Sequence, residues 1–293
     1  ENEFGEIGID GGFLKDAGIE IREMNSGCIC CSLVGDFGAS LKEVVEKYHP
    51  DRILIEPSGV GKLSDVIKAV QGVEEDVDIQ LNSYTTVVDA KKCKMYMRNF
   101  GEFFDNQVQY AGAIIMSRTD IVDEKKAMES MELLRSINEK AAIITTPIEK
   151  LDGKKILEVM EHPVSLADEL LKEEHEHHHH DGECSCGCGH HHHDHEGHHH
   201  ADEVFTSWGK ETIHTYTKDE VSAILKTLEE DGSYGNVLRA KGMVAGADGE
   251  WIYFDMVPEE HEVRTGAPEY TGRICVIGAE LNEDKLAELF KLK

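Results

Sequence analysis

The chain has 293 residues, of which 40% are hydrophobic and 30% charged, and its 58 acidic against 30 basic side chains give a formal net charge of −28. That is apolar material enough for a core in one or two domains. The acidic surplus repels phosphate backbones and anionic lipid, which argues against a nucleic-acid binder or a membrane partner. No run of 18 apolar residues is present to cross a bilayer, and Glu1-Asn2-Glu3 is not the basic, then apolar start of a signal peptide, so the expected location is cytoplasmic.

Residues 1–165 read as an α/β domain. Short β-rich runs fall at Arg52–Glu56, Thr85–Ala90, Ala111–Ser117 and Ala141–Thr146. Between them lie helical periodicities: Leu41, Val44, Val45 and Tyr48 in one, Met128, Met131, Leu134, Arg135 and Asn138 in another. Apolar strands spaced by helices predict βαβ units and a mostly parallel sheet. Ligands of such sheets sit at the carboxyl ends of strands, which directs attention to the loops after Glu56, Ala90 and Ser117.

Residues 166–203 break the pattern. They hold 11 acids against one base (Lys172), three Cys, and 13 of the 17 His between His175 and His200. Such a composition cannot bury a core and reads as a flexible metal-binding linker. Residues 204–293 then read as a small α+β domain. Its predicted strands are VFTSWG, NVLRAKGMV, EWIYFDMV and RICVIGAEL, with helices near Lys218–Glu230 and Glu283–Lys291 and a hairpin turn at Gly246–Gly249.

The eight cysteines fall as two clusters of three, Cys28, Cys30, Cys31 and Cys184, Cys186, Cys188, with Cys93 and Cys275 alone. In a chain without an export signal such clusters read as thiolates for metal or redox work rather than disulfides. Thiolates suit Zn²⁺, Co²⁺, Ni²⁺ or Cu⁺. Three sulfurs within four residues do not easily all reach one tetrahedral ion, so the Cys28–Cys31 loop needs a ligand from elsewhere. Three buried free cysteines are the alternative. In the linker, His177, His178, Cys184, Cys186, Cys188, His190 and His191 belong to a run of exchangeable imidazole and thiolate ligands, suited to capturing several Zn²⁺ or Ni²⁺ ions. A merely solvated acidic tract is its alternative. Cys93 and Cys275 are expected to be ordinary buried residues. His49, His162, His214 and His261 are expected to have no ligand role, and Trp208 and Trp251 to pack in the last domain.

NEFGEIGID, then NSGCICC, then a strand ending in EPSG, then SRTD resembles the CobW family of P-loop metal-chaperone GTPases, and YGNVLRAKGMV with RICVIGAEL resembles that family's C-terminal domain. The resemblance covers nearly the whole chain apart from the His-rich linker. It implies that Cys28, Cys30 and Cys31 hold the transferred metal, helped by Glu6 and Glu1. It implies that Glu56, with Gly59 three residues on, acts near Mg²⁺ and the γ-phosphate. Ser117, Arg118, Thr119 and Asp120 stand where the family reads guanine with Asn-Lys-x-Asp. Asp120 keeps the carboxylate for guanine N1 and the 2-amino group, the Arg118 stem covers the base, and Ser117 lacks the amide.

No G-x-x-x-x-G-K-[ST] phosphate loop is present. The nearest run, Gly59-Val60-Gly61-Lys62, lacks the first Gly and has Leu63 at the Mg²⁺ hydroxyl position. In the family that loop precedes NEFGE, so the expectation is a chain short of its first βα unit, about 30 residues, and a poor hydrolase as written. The function expected is a GTP-regulated chaperone or insertase passing a divalent metal, Zn²⁺ or Co²⁺, to a client metalloprotein, with Mg²⁺-GTP as the switch and a homo-oligomer as a further expectation. A metal buffer without GTPase activity and a nickel-insertion GTPase are the rival readings.

Overall fold

The computed structural model describes residues 34–57, 62–74, 76–163 and 206–292. They fall into two compact units, one of residues up to 117 with 129–141, the other of residues 118–128 with 142 onward.

In the first unit, α1 (Val34–Tyr48) and α2 (Leu63–Glu74) share a small core. Leu41 of α1 meets Val66, Ala69, Val70 and Val73 of α2, whose spacing places them on one helical face. The run Arg52–Glu56, expected as a strand, is extended but unpaired among the described residues. Its side chains still alternate: Ile53 and Ile55 pack on the α1–α2 core, whereas Leu54 is 84% exposed. A strand needs a ladder partner as well as alternation, and among the described residues only the alternation is present.

β1 (Thr85–Asp89) and β2 (Ala113–Ser117) pair in parallel, from Thr85 opposite Ala113 to Asp89 opposite Ser117. With β3 (Ala142–Ile144) they make a three-stranded sheet. Ala113 to Met116 are buried on both faces, as a parallel strand under helices should be. The crossover between β1 and β2 is α3 (Cys93–Phe100) and α4 (Glu102–Gln109), broken at Gly101, whose φ of 43° suits a residue without Cβ. α5 (Glu124–Ile137) follows β2 and carries Met131 and Leu134 into the core. Past its end, Asn138 is buried and fully used. Its amide donates to the carbonyls of Val108, Gln109 and Ala111, and its Oδ1 accepts from the amides of Lys140 and Ala141. Arg135, on the same periodic face, bonds the carbonyls of Asn138, Glu139 and Ala141 at that helix end.

In the second unit, α6 (Gly153–Glu161) starts at Asp152, which accepts from the Lys154 amide. The strands are β4 (Thr206–Thr212), β5 (Thr215–Tyr216), β6 (Asn236–Gly246), β7 (Trp251–Val257), β8 (Glu260–Gly266) and β9 (Gly272–Ala279). They form one sheet in the order β4-β9-β6-β7-β8, antiparallel throughout, with β5 lying parallel to β6. α7 (Lys218–Glu230) and α8 (Glu283–Leu289) cover one face. Val221, Ile224, Leu225 and Leu228 of α7 meet Trp208, Phe254, Ile274 and Phe290 in the core. α7 opens with a capping box between Thr217 and Glu220, so two donors at its start are satisfied reciprocally. Trp208, Trp251, Cys93 and Cys275 are buried, as their types suggested. The β6–β7 hairpin turns at Gly246–Gly249, with Gly249 at φ 89°. β5 and β8 were not expected. β8 is exposed at all but Val263, an edge strand rich in charge that deters further pairing.

Candidate functional site

The described candidate site is the loop that leaves β2. Backbone bonding fixes its start, since Ala90 N donates to the Ser117 carbonyl at 3.0 Å and Ser117 Oγ donates to the Val88 carbonyl at 3.3 Å. Ser117 therefore ties the end of β2 to β1. Arg118 takes φ 62°, a left-handed turn residue, and the Ile121 amide reaches back to its carbonyl at 3.4 Å. The reversal leaves Arg118 and Asp120 exposed, while the Thr119 hydroxyl is buried without a hydrogen-bond partner. An exposed carboxylate just past the carboxyl end of a parallel strand can accept two hydrogen bonds from a guanine edge, and a guanidinium stem two residues earlier can lie over a ring. The loop therefore fits base recognition.

α5 begins at once after the loop. The Asp123 carboxylate accepts from the Lys126 amide at 2.7 Å, and Ala127 N donates to the Asp123 carbonyl at 3.1 Å. Glu124, the first helical residue, takes His214 Nδ1 on its Oε1 at 2.5 Å. Behind the loop lies a cavity of about 260 Å³, lined among others by Thr119, Glu124, Thr146, Ile213 and Trp251. Sequence reasoning set His214 aside as a residue without a ligand role. It missed this pairing because nothing local marks two residues 90 positions apart.

Glu56 is exposed at the end of its extended run. Lys62 is not poised over a phosphate: its ammonium lies 3.5 Å from Glu102 and over the Phe103 ring. The start of α2 is likewise occupied, because the Ser64 amide donates to Asn106 Oδ1 at 3.2 Å and Asn106 Nδ2 donates to Ser64 Oγ. The described residues thus fit the base of a nucleotide and do not build its phosphate cradle. Gly59, Glu1, Glu6, Cys28, Cys30, Cys31, His177, His178, Cys184, Cys186, Cys188, His190 and His191 lie outside the described residues. Among the described residues no three His, Cys, Asp or Glu side chains gather to hold a metal, and no helix is long and apolar enough to cross a membrane.

Residues 1–145 match the family described as CobW/HypB/UreG, nucleotide-binding domain, and residues 206–292 match the Cobalamin synthesis protein cobW C-terminal domain. The zinc chaperone CobW of Sinorhizobium sp is 28% identical over 150 residues, which covers 42% of this chain and 42% of that protein. The zinc chaperone YeiR of Escherichia coli (strain K12) is 30% identical over 119 residues, 41% of this chain and 36% of that protein. The zinc chaperone YjiA of the same strain is 29% identical over 153 residues, 50% of this chain and 46% of that protein. The matches thus span less than half the length of each of these relatives. Carrying the nucleotide-binding domain and then the C-terminal domain of one family, the chain belongs to the CobW family.

Proposed function

We propose that the chain is a zinc chaperone whose hold on its cargo is tied to guanine nucleotide. The observation that carries the reading is the clustering of Cys28, Cys30 and Cys31 upstream of a base-type loop at Ser117–Asp120, in a chain whose relatives are named zinc chaperones. Zinc is the substrate here. The thiolates bind it, with Glu6 and Glu1 supplying oxygen ligands, and must lose protons to do so. Asp120 accepts from guanine N1 and the 2-amino group, which adenine does not offer, and Arg118 covers the ring. GTP with Mg²⁺ supplies, when bound, a γ-phosphate whose presence or loss orders or releases nearby loops. Glu56, followed at once by Pro57, is the residue proposed to report that state, and a client metalloprotein in the cytoplasm receives the ion.

A second reading is favoured by one observation, the 13 His and three Cys between His175 and His200. There the linker buffers several ions, and Co²⁺ or Ni²⁺ competes for the same ligands. Zinc affinity measured by competition with a chelating dye in GTP and in GDP separates the two. A chaperone holds zinc more tightly with GTP; affinity indifferent to nucleotide favours the buffer.

A further inference from the structure

We infer that His214 is a positioning residue for the base-reading loop, acting through Glu124; the inference rests on the proposed guanine-reading role of Arg118 and Asp120. Glu124 stands four residues after Asp120 and opens α5. The Ile121 amide closes the turn on the Arg118 carbonyl, and two residues later Asp123 fixes the start of α5, its carboxylate accepting from Lys126 N and its carbonyl from Ala127 N, so a short stretch of chain joins Asp120 to Glu124. Displacing Glu124 therefore displaces the loop.

The packing behind the loop is open. Thr119, Val122 and Glu124 line the cavity of about 260 Å³ together with Thr212, Ile213 and Trp251, so close packing is missing on that side. The buried Thr119 hydroxyl has no hydrogen-bond partner. The contact that spans this gap is His214 Nδ1 to Glu124 Oε1 at 2.5 Å, with the imidazole 24% and the carboxylate 45% exposed.

His214 is itself held on the sheet side. Its amide donates to Thr212 Oγ1 at 3.0 Å, and Thr212 is 1% exposed. Its ring stands edge-on to Tyr216 with centroids 4.6 Å apart. Tyr216 is 1% exposed and donates its hydroxyl to the Phe290 carbonyl at the end of α8. An imidazole held on two sides thus reaches from the antiparallel sheet to the first turn of the helix behind the base loop. A carboxylate at a helix N-terminus bonded to an imidazole is a charge-compatible join whichever group carries the proton.

The test is hydrogen exchange on the full chain, comparing the wild type with His214→Ala and His214→Asn. The Asn side chain puts an N–H donor at the place of Nδ1. The expected result is exchange about tenfold faster in residues 118–127 of His214→Ala, with β6, β7 and β9 unchanged, and recovery in His214→Asn. Exchange in 118–127 unchanged by His214→Ala, or raised equally through the whole sheet, or not recovered in His214→Asn, would overturn it. GTP-over-ATP preference is read on the same proteins beside Asp120→Asn. Preference absent even in the wild type removes the guanine reading and leaves the exchange result to judge His214 alone.

Discussion

Asp89 and Ser117 face each other on the last rung of the parallel β1–β2 ladder, and each uses its side chain to fix the backbone at its strand end. The Asp89 carboxylate accepts the amides of Lys91 and Lys92 at 2.8 and 3.2 Å. The Ser117 hydroxyl donates across to the carbonyl of Val88. The two strand ends leave the sheet from locked positions, and the candidate base loop starts from the second of them. Ser117 therefore contributes a tie between strands where the family motif has an amide.

Asp120 provides the first prediction. It is exposed, so replacing it with Asn leaves the fold intact. Asp120→Asn exchanges an acceptor-only group for one that also donates, which mismatches the guanine N1–H and amino donors. A bidentate match of this kind carries about 1–3 kcal/mol of base discrimination, so the variant should lose about tenfold or more of its GTP-over-ATP preference, with an unchanged melting temperature. Titration of both nucleotides at equal Mg²⁺ reads this.

Asn138→Ala should cost stability rather than nucleotide preference. It removes the Asn side chain from the carbonyls of Gln109 and Ala111 and from the amides of Lys140 and Ala141, in a position 9% exposed, while the Val108 carbonyl keeps the Ala111 amide. Buried polar groups left unmatched cost about 1–3 kcal/mol each when water cannot replace the partner. The expected loss is about 2–4 kcal/mol, seen as a lower urea midpoint at an unchanged slope.

Glu220 gives a pH dependence with a definite sign. The Lys291 ammonium, then the Thr217 amide and hydroxyl, hold its carboxyl at about 2, against an ordinary 4.5. A depressed carboxyl stabilises the fold fully above its unfolded value, and that contribution is lost as pH falls from 4.5 towards about 2. Glu220→Gln should therefore lower the melting temperature at neutral pH. It should also flatten the decline of the curve in that acid window. Equal acid slopes in the two proteins would refute the assignment.

Much of the fold was legible because local chemistry and tertiary demand agree. Ala113–Met116 is a continuous apolar run, and a strand buried on both faces requires that run. The helix expected near Lys218–Glu230 is α7, and the structure adds the capping box of Thr217 and Glu220 at its start. Arg52–Glu56 alternates as a strand would, with Ile53 and Ile55 inward, and among the described residues it has no ladder partner, because pairing depends on a neighbour that alternation does not reveal. β8 stayed hidden because an edge strand lined by Glu260, His261, Glu262 and Arg264 has no apolar period. At the candidate site, Ser117–Asp120 is contiguous in sequence and so can be singled out as a motif. Glu124 and His214 were not, because their meeting is made by the fold of a β domain whose strands carry no mark of it.

The most direct measurement of the central claim is zinc affinity at the thiol loop, taken by dye competition in a chain lacking residues 175–200. The account predicts that one tight site survives the deletion while the total stoichiometry falls. It predicts that affinity rises with pH as thiols ionise towards about 8.5. Cys30→Ala in that deleted chain should weaken zinc by more than about a hundredfold, beyond what an outer-shell partner costs, and Glu6→Ala by less. Full affinity in the Cys30→Ala protein, or loss of the tight site on deleting the linker alone, would contradict the account.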